Sequence, residues 1–191
     1  MRDDTLPLGH FEQIYSRAAD PWHFADSPYE QAKYAASLAA LPRSHYRAAY
    51  EVGCSIGVFT YMLAKRCDRL IASEPVAPAL DAARQRCADQ PWVQFRSDFV
   101  PRDWPSEHFD LIVLSEVLDY LGAADITALA ERVRDSLSAG GDLLLVHWVG
   151  KKKGRAAGEA SDGLIAACSD FLWPLQQDRN ADYRIDCLRR I

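Results

Sequence analysis

The 191-residue sequence lacks several features that would place it in a membrane, secreted or metal-binding class. It has no apolar run near the roughly 20 residues that a membrane helix requires, and its start, MRDDTLPLGH, has no apolar signal region. Its five cysteines are odd in number and form no C-x-x-C pair, which argues against a disulfide framework or a cysteine zinc site. We therefore expect a cytoplasmic protein with reduced thiols, no membrane partner and no bound metal.

An excess of positive charge is also missing. The net charge is −5, and the only basic run is residues 151–155, which we interpret as a solvated loop. Proteins that bind nucleic acid usually present a basic face, so no nucleic-acid partner is expected. The length suits one domain with a sizeable core. A monomer or a homodimer is expected.

The most informative stretch that is present spans residues 47–60, RAAYEVGCSIGVFT. Residues 48–52 are small or apolar enough for a buried strand, and Gly53 follows where the backbone must turn sharply or lie against a ligand. From Val58 the apolar residues repeat at helical spacing. The loop between Gly53 and Gly57 is therefore predicted at a helix N-terminus, where free N–H groups favour a polar or anionic ligand.

The residues beside the two glycines distinguish between possible ligands. A dinucleotide loop has the pattern G-x-G-x-x-G, but here Ser55 takes the middle position and the third glycine is absent, which disfavours a nicotinamide oxidoreductase. Glu51 places a carboxylate beside the loop, which repels phosphate and suits a cationic ammonium or sulfonium. The stretch resembles the first motif, E/D-x-G-x-G-x-G, of class I S-adenosylmethionine (SAM) methyltransferases. The resemblance implies SAM as cofactor, with these binding residues in the loop: Glu51, Gly53, Cys54, Ser55 and Gly57.

Two acidic residues end the next two predicted strands. Glu74 follows an apolar run, 21 residues after Gly53, near the spacing at which an acid binds the ribose hydroxyls of a nucleoside. Asp98 ends the strand predicted at residues 92–98, and the methyltransferase pattern implies a hydrogen bond from the adenine amino group to this acid. An ordinary turn or surface role is the alternative for both acids. The cofactor residues predicted at these strand ends are Glu74, Pro75, Asp98 and Phe99.

The fourth predicted strand, residues 109–115, is the strongest in the chain and ends at Ser115, a further predicted cofactor residue. Glu116 follows it, and His147 closes the neighbouring strand at residues 142–148. Ligands bind at the carboxyl ends of such strands, so either side chain could accept a proton from an acceptor, with Tyr120 orienting it. A structural role is the alternative for His147, and binding of the cofactor ammonium is the alternative for Glu116.

Strands and helices alternate along the chain, which predicts an α/β fold with parallel strands and right-handed crossovers. We expect a Rossmann-like, doubly wound sheet of seven strands, mostly parallel with an antiparallel terminal strand and a helical N-terminal cover. The remaining predicted segments are helices at 78–88, 124–137 and 159–171, a turn at 138–141, a loop at 151–158 and a last strand at 183–191.

The residues before the first strand are rich in aromatic side chains. A short helix around Phe11 and a second helix from Pro28 to about Leu41, capped by Ser27, are predicted. We divide the single domain into an N-terminal helical segment, residues 1–46, and a SAM-binding core, residues 47–191. The segment is either a cover packed on the sheet or a lid that closes the pocket. As a lid, it would supply substrate-binding residues next to Trp148 of the core: Tyr15, Trp22, Tyr29, Lys33 and Tyr34.

Over most of its length the sequence resembles methyltransferases of the nodulation protein S type. The matching stretches are D-P-W at 20–22, Y-E-Q-x-K-Y at 29–34, E-V-G-C at 51–54, F-D-L-I-V at 109–113 and E-V-L-x-Y-L at 116–121. The resemblance implies SAM-dependent methyl transfer to an amine or hydroxyl of a small molecule, such as an amino sugar or oligosaccharide. The N/D-P-P-Y/F motif of enzymes that methylate nucleic-acid bases is absent. The alternative is a SAM-binding regulatory or scaffold protein without catalysis.

Overall fold

The computed structural model describes residues 3–150 and 158–191, so most of the basic loop predicted at 151–158 lies outside the described residues. The elements in chain order are α1 (Leu8–Tyr15), α2 (Pro28–Ala39), β1 (Ala49–Val52), α3 (Val58–Leu63), β2 (Leu70–Ser73), α4 (Ala77–Arg86), β3 (Val93–Arg96), β4 (Phe109–Ser115), α5 (Ala123–Ser136), β5 (Leu137–Trp148), α6 (Glu159–Ala167), β6 (Leu172–Arg179) and β7 (Tyr183–Arg190). Single 3-10 turns follow α3 at Ala64–Arg66 and follow β4 at Leu118–Tyr120.

The strands form one seven-stranded sheet in the order β3-β2-β1-β4-β5-β7-β6. Neighbouring strands from β3 to β5 are parallel, whereas β7 is antiparallel to both β5 and β6. The prediction of a mostly parallel, Rossmann-like sheet with an antiparallel terminal strand is confirmed. The strand order reverses between β1 and β4, because β2 and β3 lie on one side of this pair and β5 lies on the other. Open α/β sheets bind ligands in the crevice that such a reversal leaves at the carboxyl ends of the strands.

The sheet is covered on both faces, as its apolar central strands require. Successive residues of β4 point to opposite sides, so Ile112 and Leu114 pack in a core cluster with α5 and α6. Leu111 and Val113 pack in a second cluster with α2 and α3. Two hydrophobic cores therefore hold β4 in place from either side, and its carboxyl end is fixed by packing.

The N-terminal segment is packed against the sheet as a helical cover. Helix α2 begins at Pro28, and the Ser27 side chain accepts a hydrogen bond of 3.4 Å from the Glu30 amide, as the capping pattern predicts. Tyr15 of α1 and Tyr34 of α2 belong to the same core cluster as α3. Ahead of α1, the Leu6 amide donates to the Tyr120 carbonyl at 2.9 Å. The proposed boundary after residue 46 stays a prediction.

Two predicted boundaries differ from the structure. Residues 138–141 are not a turn that precedes β5, because Leu137 already pairs with Phe109 and pairing resumes with Asp142 opposite Leu111. The intervening residues form a bulge within β5, which Gly140 allows with a φ of 69°. Helix α6 ends at Ala167, earlier than predicted, because the chain turns so that Phe171 packs into the core beside α5.

None of the helices within residues 3–150 and 158–191 is both long and apolar enough to cross a bilayer. All five cysteines are free thiols buried in the fold.

Candidate functional site

A cavity that is partly open to solvent lies at the carboxyl ends of β1, β2 and β4, beside the loop after β3, and the N-terminal segment covers it. The side chains that reach it from the sheet include four of the predicted cofactor residues: Glu51, Glu74, Asp98 and Ser115. The topology thus brings together residues that are up to 64 positions apart in the sequence.

The glycine loop between β1 and α3 forms one wall of the cavity. Gly53 has a φ of 72°, and a Cβ there would lie 2.9 Å from Val117 Cγ2, so the loop can pass only with glycine. Gly57 has a φ of 77°, and a Cβ there would lie 2.9 Å from the Cα of Ala83 in α4. Gly57 is therefore required for helix packing, and unlike Gly53, Cys54 and Ser55 it does not line the cavity.

Ser55 occupies the middle position of this loop with a φ of 51°, a left-handed conformation that is uncommon for residues other than glycine. Its side-chain oxygen lies 2.5 Å from the Tyr15 phenol oxygen, and its amide donates to Glu74 Oε2 at 3.1 Å. Two hydrogen bonds therefore hold the strained residue in place.

Glu51 lines the cavity, and no cationic side chain of residues 3–150 and 158–191 forms a salt bridge with it. The residue is 2% exposed, and its Oε2 has no hydrogen-bond partner among the described residues. Burial raises the pKa of Glu51 to about 7. A ligand that brings a positive charge beside Glu51 would stabilise its ionised form.

Glu74 and Asp98 are both held in fixed orientations. Glu74 Oε1 accepts a hydrogen bond of 3.0 Å from the Val76 amide, in addition to the bond from Ser55. Burial raises the pKa of Glu74 to about 7, although these two bonds act in the opposite direction. Asp98 forms a two-bond salt bridge with Arg96, at 2.6 and 3.1 Å, and this partner was not foreseen from the sequence.

The aromatic residues of the N-terminal segment form the cover over the cavity. Tyr15 and Trp22 meet edge to face with ring centroids 5.3 Å apart, and Trp22 stacks on Phe24 at 5.6 Å. Tyr34 stacks on Phe59 of α3 at 5.3 Å. Three of the predicted substrate residues, Tyr15, Trp22 and Tyr34, thus line the cavity.

The other predicted substrate residues, Tyr29, Lys33 and Trp148, lie outside the cavity lining. The Tyr29 hydroxyl donates weakly, at 3.5 Å, to the Asp182 carbonyl. Lys33 is 2% exposed and forms salt bridges with Glu30 and Glu116, so it supports the wall from behind. Their proposed contact with a substrate stays a prediction.

Glu116 lines the cavity with both carboxylate oxygens already engaged. Lys33 Nζ donates to Oε1 at 2.7 Å, and the Trp148 amide donates to Oε2 at 3.0 Å. The residue has a φ of 58°, and its own amide donates to the Val146 carbonyl. Glu116 is thus held in one orientation at the cavity wall by two donors, and its proposed catalytic role stays a prediction.

The two remaining predicted catalytic residues have different surroundings. Tyr120 lines the cavity, and burial, with Glu116 nearby, raises its pKa to about 12, so its hydroxyl remains protonated.

His147 is buried outside the lining, and neither ring nitrogen has a hydrogen-bond partner among residues 3–150 and 158–191. Burial lowers the pKa of His147. A role for His147 in proton transfer stays a prediction.

Several lining residues were not foreseen from the sequence, and Glu30 is the most polar of them. Glu30 and Lys33 are three residues apart, a spacing that predicts an ion pair on one face of a helix. The spacing does not predict that this face borders the cavity. Thr5 and Leu6 also line it, and no sequence pattern marks them.

Comparisons with known proteins agree with this geometry. The family described as Nodulation protein S (NodS) matches residues 13–158. Nodulation protein S of Bradyrhizobium diazoefficiens is 36% identical over 120 residues, which cover 62% of this chain and 56% of that protein. The protein of the same name from Rhizobium tropici is 35% identical over 129 residues, 66% of this chain and 54% of that protein. The matches thus span just over half the length of these curated relatives.

Solved structures share the fold. A candidate methyltransferase from Pseudomonas syringae superposes with a TM-score of 0.75 and 38% identity, covering 85% of this chain and 99% of that one. The N-methyltransferase NodS from Bradyrhizobium japonicum WM9, in complex with S-adenosyl-L-homocysteine (SAH), superposes with a TM-score of 0.82 and 24% identity, covering 95% of this chain and 97% of that one. From the family match over residues 13–158, the chain belongs to the nodulation protein S family.

Proposed function

We propose that this protein is a SAM-dependent methyltransferase that acts on an amine or hydroxyl group of a small molecule. The observation that carries the proposal is the convergence of Glu51, Glu74 and Asp98 on one cavity at the carboxyl edge of the sheet. Membership of the nodulation protein S family supports it, because a solved member is named an N-methyltransferase and binds SAH.

The charge distribution of the cavity fits SAM. Glu51 offers an uncompensated carboxylate to the ammonium of the cofactor, and Glu74, fixed by two backbone amides, offers its remaining acceptor positions to ribose hydroxyls. Asp98 and Phe99 line the same cavity and would contact the adenine of the bound cofactor. The bare backbone at Gly53 allows close approach of the ligand. Bound SAM would supply an electrophilic methyl group on its sulfonium.

The protein's own contribution to the reaction is mainly positioning. The aromatic cover of Tyr15, Trp22 and Tyr34 excludes water, and the fixed carboxylate of Glu116 with the Tyr120 hydroxyl orients the acceptor. An amine acceptor, as in the relative named an N-methyltransferase, is the first candidate, and amino sugars and oligosaccharides are the proposed class. Proton acceptance by His147 or Glu116 is part of the same proposal.

We also propose that the enzyme works in the cytoplasm, as a monomer or homodimer, on free small molecules and without a nucleic-acid partner. The net charge of −5 supports the last point, since a negatively charged protein is repelled by phosphate backbones.

Calorimetric titration with SAM, SAH and NAD tests the cofactor. SAM and SAH are expected to bind and NAD is not. A screen of amino sugars, small amines and hydroxylated metabolites for transfer of a labelled methyl group then tests catalysis. Absence of SAH binding by the folded protein would refute the proposed function.

A further inference from the structure

Glu30 of α2 occupies an unusual position for an ionisable side chain. The residue is 8% exposed, yet it lines the cavity. Its Oε1 accepts a hydrogen bond of 3.1 Å from Lys33 Nζ. Its Oε2 is 3.0 Å from the same nitrogen but accepts no hydrogen bond from any described residue. This oxygen thus meets the Lys33 ammonium as an ion pair outside hydrogen-bond geometry and keeps capacity to accept a further hydrogen bond.

The charges around Glu30 do not balance. Lys33 is shared between Glu30 and Glu116, so the group of three carries one net negative charge when both acids are ionised. Among the charges that act most strongly on Glu30, Asp20 adds to the negative side. Burial raises the pKa of Glu30, and Lys33 acts in the opposite direction. A second cation in the cavity would complete the group.

Lys33 ties Glu30 to the end of β4. Its Nζ lies 3.0 Å from Glu30 Oε2 and 2.7 Å from Glu116 Oε1, so the two carboxylates that line the cavity lie on either side of one ammonium. Glu116 and Tyr120 are the residues proposed above to orient the acceptor. Glu30 therefore belongs to the part of the cavity wall where the acceptor is proposed to bind.

We propose that Glu30 is a specificity-determining residue whose carboxylate binds the protonated amine of the methyl acceptor, with Glu116 as the second carboxylate of that subsite. The inference rests on the proposed function and adds the residue that selects the acceptor. A neutral hydroxyl compound would leave the net negative charge buried and uncompensated, whereas an ammonium supplies a positive charge and hydrogen-bond donors to the two carboxylates. A site built around a polar group rejects an analogue that lacks it.

The test compares amines with their hydroxyl counterparts on SAH-saturated protein. The probe pairs are glucosamine with glucose, ethanolamine with ethylene glycol, and the chitosan disaccharide with cellobiose. Calorimetry or ligand-observed NMR gives the affinity of each probe for the parent protein, Glu30→Gln, Glu30→Asp and Glu131→Gln. Glu131 is an exposed residue of α5, so its variant matches the change in net charge away from the cavity.

In the parent and in Glu131→Gln, at least one amine is expected to bind tenfold or more tightly than its hydroxyl counterpart. Glu30→Gln is expected to lose this preference by tenfold or more, with the affinity for SAH changed less than threefold. Lys33 keeps Glu116 as a partner in that variant, and the charge-conserving Glu30→Asp is expected to retain part of the preference. Thermal unfolding of each variant verifies that it is folded.

Equal binding of amine and hydroxyl in the parent, or no binding of any amine, would overturn the inference. An unchanged preference in folded Glu30→Gln would do the same, and so would a loss confined to SAH affinity, which would assign Glu30 to the cofactor. Failure of the parent to bind SAH would instead refute the proposed function, so the two failures are distinguishable.

Discussion

The Tyr15 phenol oxygen lies 2.5 Å from the Ser55 side-chain oxygen, and this contact joins the N-terminal cover to the glycine loop. The Ser55 amide in turn donates to Glu74. A continuous path of hydrogen bonds therefore runs from α1 through the loop to the end of β2. Any ligand that orders the loop is expected to order the cover as well.

The first prediction concerns this contact. In a double-mutant cycle, Tyr15→Phe and Ser55→Ala are expected to show a coupling of about 0.5–1.5 kcal/mol in the free energy of unfolding, the usual net value of a neutral hydrogen bond. Urea denaturation measures it. Tyr29→Phe, which loses only a 3.5 Å contact, serves as the control. Additive effects of the two changes would mean that the contact adds no stability.

The second prediction concerns Glu74. Glu74→Ala removes the acceptors of the Ser55 and Val76 amides and of the proposed ribose hydroxyls. Each hydrogen bond to a charged group contributes about 1.5–3 kcal/mol, so SAH affinity is expected to fall on the order of a hundredfold. Calorimetric titration measures the affinity, with Glu131→Ala as the control. A folded Glu74→Ala protein that binds SAH as tightly as the parent would contradict the ribose assignment.

The third prediction is a pH dependence at Glu51. Its pKa rises from an ordinary 4.5 to about 7 on folding, so the folded protein binds this proton more tightly, and stability from this group is lost as the pH rises from 4.5 through 7. Glu51→Gln is therefore expected to unfold like the parent near pH 4.5 and to be more stable by about 1–3 kcal/mol above pH 7.

Denaturant unfolding of the two ligand-free proteins across this pH range measures the difference in their free energies of unfolding. The titration of Glu74 cancels in this difference, because both proteins retain Glu74. Glu131→Gln should show no such trend. The same Glu51→Gln change is expected to weaken SAH binding, since it removes the charge opposite the proposed ammonium. Equal stability of the parent and the variant at pH 8 would show that ionised Glu51 does not destabilise the fold.

The fourth prediction concerns the cover as a lid. Chymotryptic cleavage beside Trp22 and Phe24 is expected to slow when SAH is added, because the cavity that these rings line would then be filled. Deletion of residues 1–26 is expected to leave a folded sheet and abolish turnover. Cleavage rates that are identical with and without SAH would indicate a static cover.

The fifth prediction separates two roles of His147. If His147 accepts the proton of the acceptor, as proposed, His147→Phe is expected to lower turnover by about 10²–10⁴ with SAH affinity unchanged. The alternative is a structural role, because the ring lies outside the cavity lining and makes no hydrogen bond to a described residue, and turnover would then change less than threefold. Steady-state kinetics on the acceptor found in the screen distinguishes the two results.

The sequence predicts those parts of the fold that local patterns determine. The apolar run of β4, the Ser27 cap of α2 and the helical spacing after Gly57 each occur where expected. The bulge at residues 138–141 was mistaken for a turn, because glycines permit both and the choice depends on pairing with Phe109.

The site was predicted well at strand ends and less well elsewhere. Residues at or just after the carboxyl end of a strand in a parallel sheet reach one edge of the sheet, so Glu51, Glu74 and Asp98 could be grouped from the sequence. Glu30 and Lys33 lie on a helix whose rotation about its axis is set by tertiary packing. The sequence around Glu30 and Lys33 therefore does not predict which of these two side chains lines the cavity.

Strand β7 lies between β5 and β6, although it is the last of the seven to leave the ribosome. Strand β6 emerges earlier, but β7 is its only neighbour among the strands of residues 3–150 and 158–191, so β6 can pair only after β7 has emerged. Asp142 of β5, fully buried, also waits for Arg189, which donates to it at 2.8 and 3.2 Å. A premature stop codon before residue 183 would thus leave β6 without its partner strand and would leave Asp142 with Tyr46 and Arg43 but without Arg189. The nascent chain can therefore close its sheet only when translation has passed β7.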